Sequence, residues 1–193
     1  MDGQPGHKLA LRDQLLTARR RRPLTEVGAA ARAIADALLD APEVRRAASV
    51  ACYVSVGGEP GTTELLDRLV AAGKRVILPV LLPDNDLDWA SYTGSASLAA
   101  ARRGLLEPVT ALLGVEAVAT ADVVLVPGLA VGADGTRLGR GGGSYDRALG
   151  RVPVGTFTCV LLYDDELLGV VPTEPHDRPV TAAATPSGIT RFR

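Results

Sequence analysis

The hydrophobic positions of this chain first repeat with a helical period and later gather into short apolar runs. Leucine and alanine recur on one face of residues 8–22, and Pro23 ends that segment. Apolar residues return at a similar spacing over 27–38, with Thr25 as the expected N-cap and Pro42 beyond the end. The pattern therefore predicts a pair of N-terminal helices packed on a larger core.

From residue 48 onward, compact apolar runs alternate with polar loops, which is typical of strands buried on both faces of a parallel sheet. The expected strands are 48–56, 76–82, 87–93, 122–126, 156–163 and 180–184, with 87–93 as an antiparallel excursion. A helix capped by Thr62 or Thr63 follows the first strand, and one capped by Ser144 covers 144–149. The fold class predicted is α/β: a three-layer, Rossmann-like arrangement with a mostly parallel sheet between helices, in one domain spanning 1–193.

Composition narrows the class of protein. The 193 residues are 47% hydrophobic and 22% charged, as in ordinary globular domains, and the net charge of −1 argues against general binding to nucleic acid or anionic membranes. The basic run at 19–22 is interpreted as the solvated end of the first helix. The longest uncharged apolar segment, within 123–133, is too short for a membrane span, and no secretory leader pattern precedes it. A cytoplasmic monomer is expected, with Cys52 and Cys159 as buried thiols.

The most informative stretch, residues 125–149, reads LVPGLAVGADGTRLGRGGGSYDRAL. A glycine-rich backbone can fold around an anion, a following helix N-terminus adds a positive dipole end, and Arg137 and Arg140 add fixed charge. Asp146 stands where a carboxylate could hold a metal ion on a bound phosphate. The segment lacks the lysine of a Walker loop and the third glycine of a dinucleotide fingerprint. A nucleotide-phosphate site is predicted, and a simple tight turn is the alternative.

The longer string resembles the 5-formyltetrahydrofolate cyclo-ligase family, also called 5,10-methenyltetrahydrofolate synthetase. That family has a pattern close to VPGLAFD–G–RLG–G–GYYDR–L. The matching positions are Val126 to Ala130, Gly135, Arg137 to Gly139, Gly141, Gly143, Tyr145 to Arg147 and Leu149. Four further elements follow the family order: Lys8 with Leu11 and Arg12, the segment 53–62, the segment 104–108 and the segment 171–177.

The resemblance implies ATP-driven, Mg²⁺-dependent closure of a small-molecule substrate, 5-formyltetrahydrofolate, to 5,10-methenyltetrahydrofolate, with release of ADP and phosphate. Lys8 and Arg140 would act in catalysis, and Asp146 and Asp177 would hold Mg²⁺. ATP would be bound by Lys8, Arg12, Arg137, Leu138, Gly139, Arg140, Gly141, Gly142, Gly143, Ser144 and Tyr145. The folate would be bound by Glu59, Tyr53, Arg140, Gly141, Gly142, Gly143 and Ser144.

Some family features differ or have no assigned role. Val131 and Ser144 stand where the family usually has an aromatic residue and a second tyrosine, which implies less ring area beside the folate. Glu107 belongs to a family motif and is interpreted as structural, Trp89 as a core residue, and His176 as a surface histidine without a role.

Two other functions remain open from the residues alone. A sugar-phosphate isomerase of related fold would use a phosphate loop without ATP, but it usually needs a carboxylate–lysine pair, and the chain has only Lys8 and Lys74. A folate- or nucleotide-binding relative without catalysis would keep the ligand pocket and lose turnover.

Overall fold

A twisted sheet of seven strands runs through the computed structural model, which describes residues 5–193. The helices are α1 (Pro5–Arg20), α2 (Leu24–Asp40), α3 (Pro42–Arg46), α4 (Thr63–Ala71) and α5 (Ser144–Arg151). The first six strands are β1 (Ser49–Ala51), β2 (Arg75–Leu81), β3 (Leu87–Tyr92), β4 (Leu98–Ala100), β5 (Leu106–Pro108) and β6 (Val123–Pro127). The remaining strands are β7 (Ala130–Val131), β8 (Arg137–Leu138), β9 (Phe157–Leu161), β10 (Ala182–Thr185) and β11 (Gly188–Arg191).

The sheet order is β11–β10–β9–β6–β1–β2–β3. The five inner strands are mutually parallel, whereas β3 and β11 pair antiparallel at the two edges. In the middle of the sheet Val50 lies opposite Val76 on one side and Val123 on the other. This arrangement confirms the predicted α/β fold with a mostly parallel sheet and its antiparallel excursion.

Helices cover both faces of the sheet because the inner strands are apolar on both faces. One core joins the sheet to α2 and α4 through residues such as Leu38 and Leu69, and the other joins it to α5 through Leu149. Trp89 lies in the second core and is 1% exposed, as expected. Helix α1 differs from α2, because its leucines pack on Leu129 and Leu138 beside the β7–β8 hairpin instead of on a sheet face.

Several predicted boundaries were wrong in an instructive way. Strand β1 covers only Ser49–Ala51, since the chain leaves the sheet after it although its side chains remain largely buried. No side-chain cap is formed by Thr25, because α2 begins at Leu24 after Pro23. Helix α5 is preceded by Gly143 in a left-handed conformation (φ 73°), so Ser144 is the first helical residue and not the N-cap. Elements α3, β4, β5, β7, β8 and β11 were not predicted.

The interpretation of the basic run was wrong for Arg19. Its side chain is buried, and its Nε donates to Glu166 Oε1 at 2.7 Å. Both cysteines are buried free thiols, as predicted, and burial raises the pKa of Cys52 to about 12. Across residues 5–193, none of the helices has the length and apolar character that a membrane span requires.

Candidate active site

A cavity of about 600 Å³ opens at the carboxyl ends of β1, β2 and β6, the edge where open α/β sheets bind ligands. One half is apolar and is lined by Val54, Val56, Pro79, Leu81, Leu87 and Leu105. The other half is charged and is lined by Lys8, Arg12, Arg137, Arg140, Asp146, Glu174, His176 and Asp177. The glycine loop, residues 139–143, lines the same cavity. Every residue predicted to bind ATP, folate or metal therefore lines one cavity.

The glycine loop has a backbone that only glycine adopts easily at two positions. Gly141 and Gly143 have φ values of 103° and 73°, and α5 starts directly afterwards. In the described part of the chain, the N–H groups of residues 140–144 donate to no protein acceptor. The loop therefore offers free backbone donors at a helix N-terminus, which is the arrangement that binds phosphate.

Arg137 packs against Gly139 of the glycine loop, and only 6% of its surface is exposed. Its Nη1 donates to the Pro127 carbonyl at 2.9 Å, and its Nη2 lies 3.5 Å from Asp146 Oδ1. A Cβ at Gly139 would lie 2.9 Å from Nη1, so a side chain there would force the guanidinium to shift. Burial lowers the pKa of Arg137 although Asp146 favours its charge. Arg137 therefore packs against Gly139 and places a positive charge next to the glycine loop.

Helix α1 places Lys8 and Arg12 on the face that borders the cavity, as their spacing of one helical turn predicts. Arg12 Nε donates to the Gly139 carbonyl at 2.8 Å. Lys8 Nζ donates to Asp177 Oδ2 at 2.7 Å and to Glu174 Oε2 at 2.8 Å. Lys8 is thus paired with two carboxylates, a contact that the sequence did not indicate.

Asp146, His176 and Asp177 form a cluster suited to a metal ion. One potential ligand atom from each residue lies within 4.8 Å of the other two. Asp146 Oδ1 accepts the Arg178 N–H at 3.0 Å, and Asp177 Oδ2 is occupied by Lys8 and by the Glu174 N–H at 2.7 Å. Each carboxylate is oriented through one oxygen, so the residues present fit a divalent cation.

Glu59 and Tyr53 lie on the loop that follows β1. Glu59 is 6% exposed, its Oε2 accepts the Val56 N–H at 2.8 Å, and its Oε1 lies 3.5 Å from Arg140 Nη2. Burial raises the pKa of Glu59 against the opposing effects of the Val56 N–H and Arg140. The buried Tyr53 hydroxyl has no hydrogen-bond partner in the described residues. Both side chains are therefore poised for a polar ligand.

A reciprocal pair of hydrogen bonds closes this loop. The Ser55 N–H donates to Thr62 Oγ1 at 2.9 Å, and the Thr62 N–H donates to Ser55 Oγ at 3.0 Å. The Thr62 hydroxyl also donates to the Tyr53 carbonyl at 2.8 Å. Thr62, predicted as a possible helix cap, instead fixes both ends of the loop that carries Glu59.

Sequence reasoning missed several lining residues and misplaced one. Glu174 and His176 join the charged half, although only their position beside Asp177 could have indicated this. Glu107 Oε1 accepts the Leu81 N–H at 2.9 Å, consistent with its structural interpretation. Val131 is buried in the core and is not among the residues that line the cavity, contrary to the expected position beside the folate.

The fold and the site together define an α/β protein in which a glycine loop at a helix N-terminus, a candidate metal cluster and an apolar pocket share one cavity. The chain belongs to the 5-formyltetrahydrofolate cyclo-ligase family, whose model matches residues 5–186. The predicted resemblance is thereby confirmed, and the protein is a ligase, which leaves the isomerase alternative without support.

Individual relatives agree with this assignment. The chain is 44% identical over 151 residues to the 5-formyltetrahydrofolate cyclo-ligase of Mycolicibacterium smegmatis, covering 75% of this chain and 77% of that protein. It is 36% identical over 183 residues to the Escherichia coli enzyme, covering 88% and 96%. The NMR structure of Aquifex aeolicus 5,10-methenyltetrahydrofolate synthetase superposes with a TM-score of 0.83 at 28% identity, covering 96% of this chain and 93% of that one.

Proposed function

We propose that the protein, acting as one domain over residues 1–193, converts 5-formyltetrahydrofolate to 5,10-methenyltetrahydrofolate with hydrolysis of ATP to ADP and phosphate, and that it requires Mg²⁺. The observation that supports this is the single cavity in which the glycine loop, the Asp146–His176–Asp177 cluster and Glu59 meet. A phosphate site and a metal cluster beside an apolar pocket suit a reaction between a nucleotide and an aromatic substrate.

The chemistry needs an activated formyl group. The formyl carbon on N5 is an amide carbon, so its oxygen is a poor leaving group. Transfer of the γ-phosphoryl group of ATP to that oxygen breaks the bond to ADP and creates a good leaving group. Attack by N10 on the same carbon, release of the N10 proton to solvent and departure of phosphate close the ring. Since both nitrogens belong to one bound molecule, the attack profits from high effective concentration.

The phosphate contacts would come from the backbone of residues 139–144 and from the side chains of Arg140 and Arg12. Arg140 extends from the loop to within 3.5 Å of Glu59, so its guanidinium spans the boundary between the phosphate and folate halves. It would stabilise charge that develops as the phosphoryl group moves. Arg12, held on the Gly139 carbonyl, and Lys8 would add positive charge from α1.

Asp146 and Asp177 would hold Mg²⁺, since oxygen ligands suit that ion and each carboxylate has one oxygen that accepts no hydrogen bond from residues 5–193. The bound ion would neutralise phosphate charge during transfer. The Arg178 N–H and Lys8 would orient the two carboxylates, as outer hydrogen bonds do in metal sites.

The folate would enter the apolar half of the cavity. Glu59 would accept hydrogen bonds from the pterin, and the Tyr53 hydroxyl, which has no partner within residues 5–193, would provide a second polar contact. Tyr145, whose ring lies near the Arg137 guanidinium at 5.8 Å, would border the substrate together with Leu81 and Leu87. A monomeric, cytoplasmic enzyme remains the expectation from the sequence.

The test follows near-ultraviolet absorbance of purified protein with 5-formyltetrahydrofolate. The methenyl chromophore should grow only when Mg²⁺ and ATP are both present, and EDTA should stop it. Asp146→Asn, which keeps the size of the side chain, should lower kcat by about 10²-fold or more, an effect typical of lost charge stabilisation.

Exposed Arg21→Gln serves as the control and should leave turnover unchanged. A flat trace from folded wild-type protein that still binds the folate would instead favour the non-catalytic binding protein. Normal turnover by Asp146→Asn would overturn the metal assignment.

A further inference from the structure

His176 has no role in the function derived so far, yet it lies beside both candidate metal ligands. Its Nε2 is 3.5 Å from Asp177 Oδ1 and 3.6 Å from Glu174 Oε2, and the imidazole is 64% exposed. One of its nitrogens also lies within 4.8 Å of an oxygen of Asp146. A loop immediately preceding Asp177 thus presents an imidazole to the same small volume as the two carboxylates.

The hydrogen bonds around the Asp146–His176–Asp177 cluster leave three potential ligand atoms without other protein partners in residues 5–193. The protein donors at Asp146 contact Oδ1, and those at Asp177, apart from the imidazole, contact Oδ2. In residues 5–193 the second oxygen of each carboxylate accepts no other protein hydrogen bond. Two carboxylate oxygens and one imidazole nitrogen therefore remain as a three-ligand set.

A second observation indicates that this part of the cavity receives a ligand. Arg137 Nε is buried and has no hydrogen-bond partner in the described chain, although the same guanidinium contacts Asp146. A buried donor without a partner is costly unless a bound group satisfies it. Because Nη2 of this guanidinium lies 3.5 Å from Asp146, a ligand bound on Asp146 would lie next to it.

We propose that His176 is the third protein ligand of this metal site and that it makes the site selective for first-row transition-metal ions over Mg²⁺. The proposal rests on the proposed function in one respect, because the proposed function assigns Mg²⁺ to this same site. Mg²⁺ prefers oxygen ligands and keeps several waters, so it gains little from an imidazole. Imidazole nitrogen is a better ligand for Co²⁺, Ni²⁺ and Zn²⁺ than for Mg²⁺, and affinity rises from Co²⁺ to Ni²⁺.

The test titrates metal-free protein with Co²⁺ and, separately, with Mg²⁺ by isothermal titration calorimetry. His176→Gln should weaken Co²⁺ binding by about tenfold or more, the scale of effect that metal-site changes produce, and should change Mg²⁺ affinity less than about threefold. His7→Gln is the matched control, since His7 is the only other histidine and is exposed on α1. It should leave both affinities unchanged.

A spectroscopic measurement tests the ligand directly. Proton NMR of the Co²⁺-loaded protein should show a strongly shifted imidazole N–H signal that is present in wild type and His7→Gln and absent from His176→Gln. The proposal is wrong if the signal survives in His176→Gln, if Co²⁺ affinity is unchanged, or if Co²⁺ and Mg²⁺ affinities fall equally. Wild type that binds Co²⁺ through His176 but makes no methenyl product would overturn the proposed function and leave this inference standing.

Discussion

Two cations on helix α1 reach carboxylates from the last third of the chain, with different consequences. Arg19 pairs with Glu166 at 2.7 Å, and both side chains are 2% exposed. Lys8 pairs with Asp177 at 2.7 Å and with Glu174 at 2.8 Å, but the Glu174 side chain is 34% exposed and all three line the cavity. The Arg19–Glu166 ion pair stabilises the fold, because protein surrounds both side chains. The Lys8 ion pairs belong to a candidate binding site, because their carboxylates line the cavity.

The Arg19 pair connects the two loops that form the site. Arg19 Nη2 donates to the Gly128 carbonyl at 2.7 Å, at the turn that follows β6. Glu166 Oε2 accepts the Tyr163 N–H at 3.0 Å, and the Tyr163 hydroxyl donates to the Gly58 carbonyl at 3.0 Å. Through these bonds α1 is tied both to the turn before the glycine loop and to the neighbour of Glu59.

The largest effect is expected from Arg19→Met, which leaves the Glu166 carboxylate buried without its partner. Removal of one member of a buried pair typically costs about 3–5 kcal/mol. Urea denaturation at neutral pH should show a loss of that size in the free energy of unfolding. Since whole domains are stable by only about 5–15 kcal/mol, the variant should also unfold at a markedly lower temperature.

The double variant Arg19→Met, Glu166→Leu is the control for that measurement. Replacement of a buried ion pair by apolar side chains is often nearly neutral, so it should recover a large part of the lost stability. A single variant that loses less than about 1 kcal/mol, within the range of surface ion pairs, would contradict the contrast with Lys8.

Lys8→Met should have the opposite balance, with a small loss of stability and a larger loss of nucleotide binding. Water can reach Glu174 and the cavity, so the carboxylates of Glu174 and Asp177 stay solvated when Lys8 is removed. KM for ATP should rise about 10–100-fold, equivalent to about 1.4–2.7 kcal/mol, while the unfolding free energy falls by about 1 kcal/mol. Steady-state kinetics and urea denaturation of the same preparation measure both quantities. A loss of stability as large as that of Arg19→Met would show that Lys8 is architectural too.

The smallest expected effect is a pH dependence that belongs to the Lys8 pair. Burial is the largest single influence on Asp177 and disfavours its charged form, but the hydrogen bonds from Lys8 and the Glu174 N–H and the positive charge of Lys8 together outweigh it and lower the pKa of Asp177. Burial likewise opposes the charge of Lys8, and its two carboxylate partners raise its pKa. The stabilisation is therefore complete between about pH 5 and pH 10, given ordinary values near 4 and 10.4.

Outside that window the pair should stop stabilising the fold. Below pH 4 the contribution is lost as pH falls through the lowered pKa of Asp177, and at high pH it is lost as pH rises through the raised pKa of Lys8. The difference in urea midpoint between wild type and Lys8→Met should consequently shrink from pH 7 to pH 3. A difference that stays constant over this range would mean that Lys8 stabilises by packing alone.

The sequence could predict the fold and the parts of the site that are local in the chain. Lys8 and Arg12 are one helical turn apart, so their spacing predicted a shared helix face, and the family resemblance assigned that face to the site. The glycine loop and Asp146 occupy a few consecutive residues, so their proximity follows from the sequence itself. The apolar runs predicted the inner strands because burial on both faces leaves a continuous hydrophobic pattern. The same pattern reports burial and not backbone pairing, which is why β1 was predicted five residues too long at its carboxyl end.

What the sequence could not predict are contacts made by tertiary packing. Arg19 stands in a run of four arginines, and no local pattern distinguishes the one that meets Glu166, 147 residues later. The pairing of Lys8 with Asp177 spans 169 residues, and the residues alone gave Asp177 no more than a loop role. His176 was set aside because an exposed histidine has no periodicity that relates it to Asp146.

The reciprocal hydrogen bonds between Ser55 and Thr62 have a consequence for the rate of substrate capture. They close an eight-residue loop at both ends during folding, so the backbone around Glu59 has lost its conformational freedom before a ligand arrives. A preorganised loop avoids the ordering cost that would otherwise weaken association. Substrate encounter should therefore follow single-step kinetics on the Glu59 side of the cavity, without a slow rearrangement of residues 53–62 after binding.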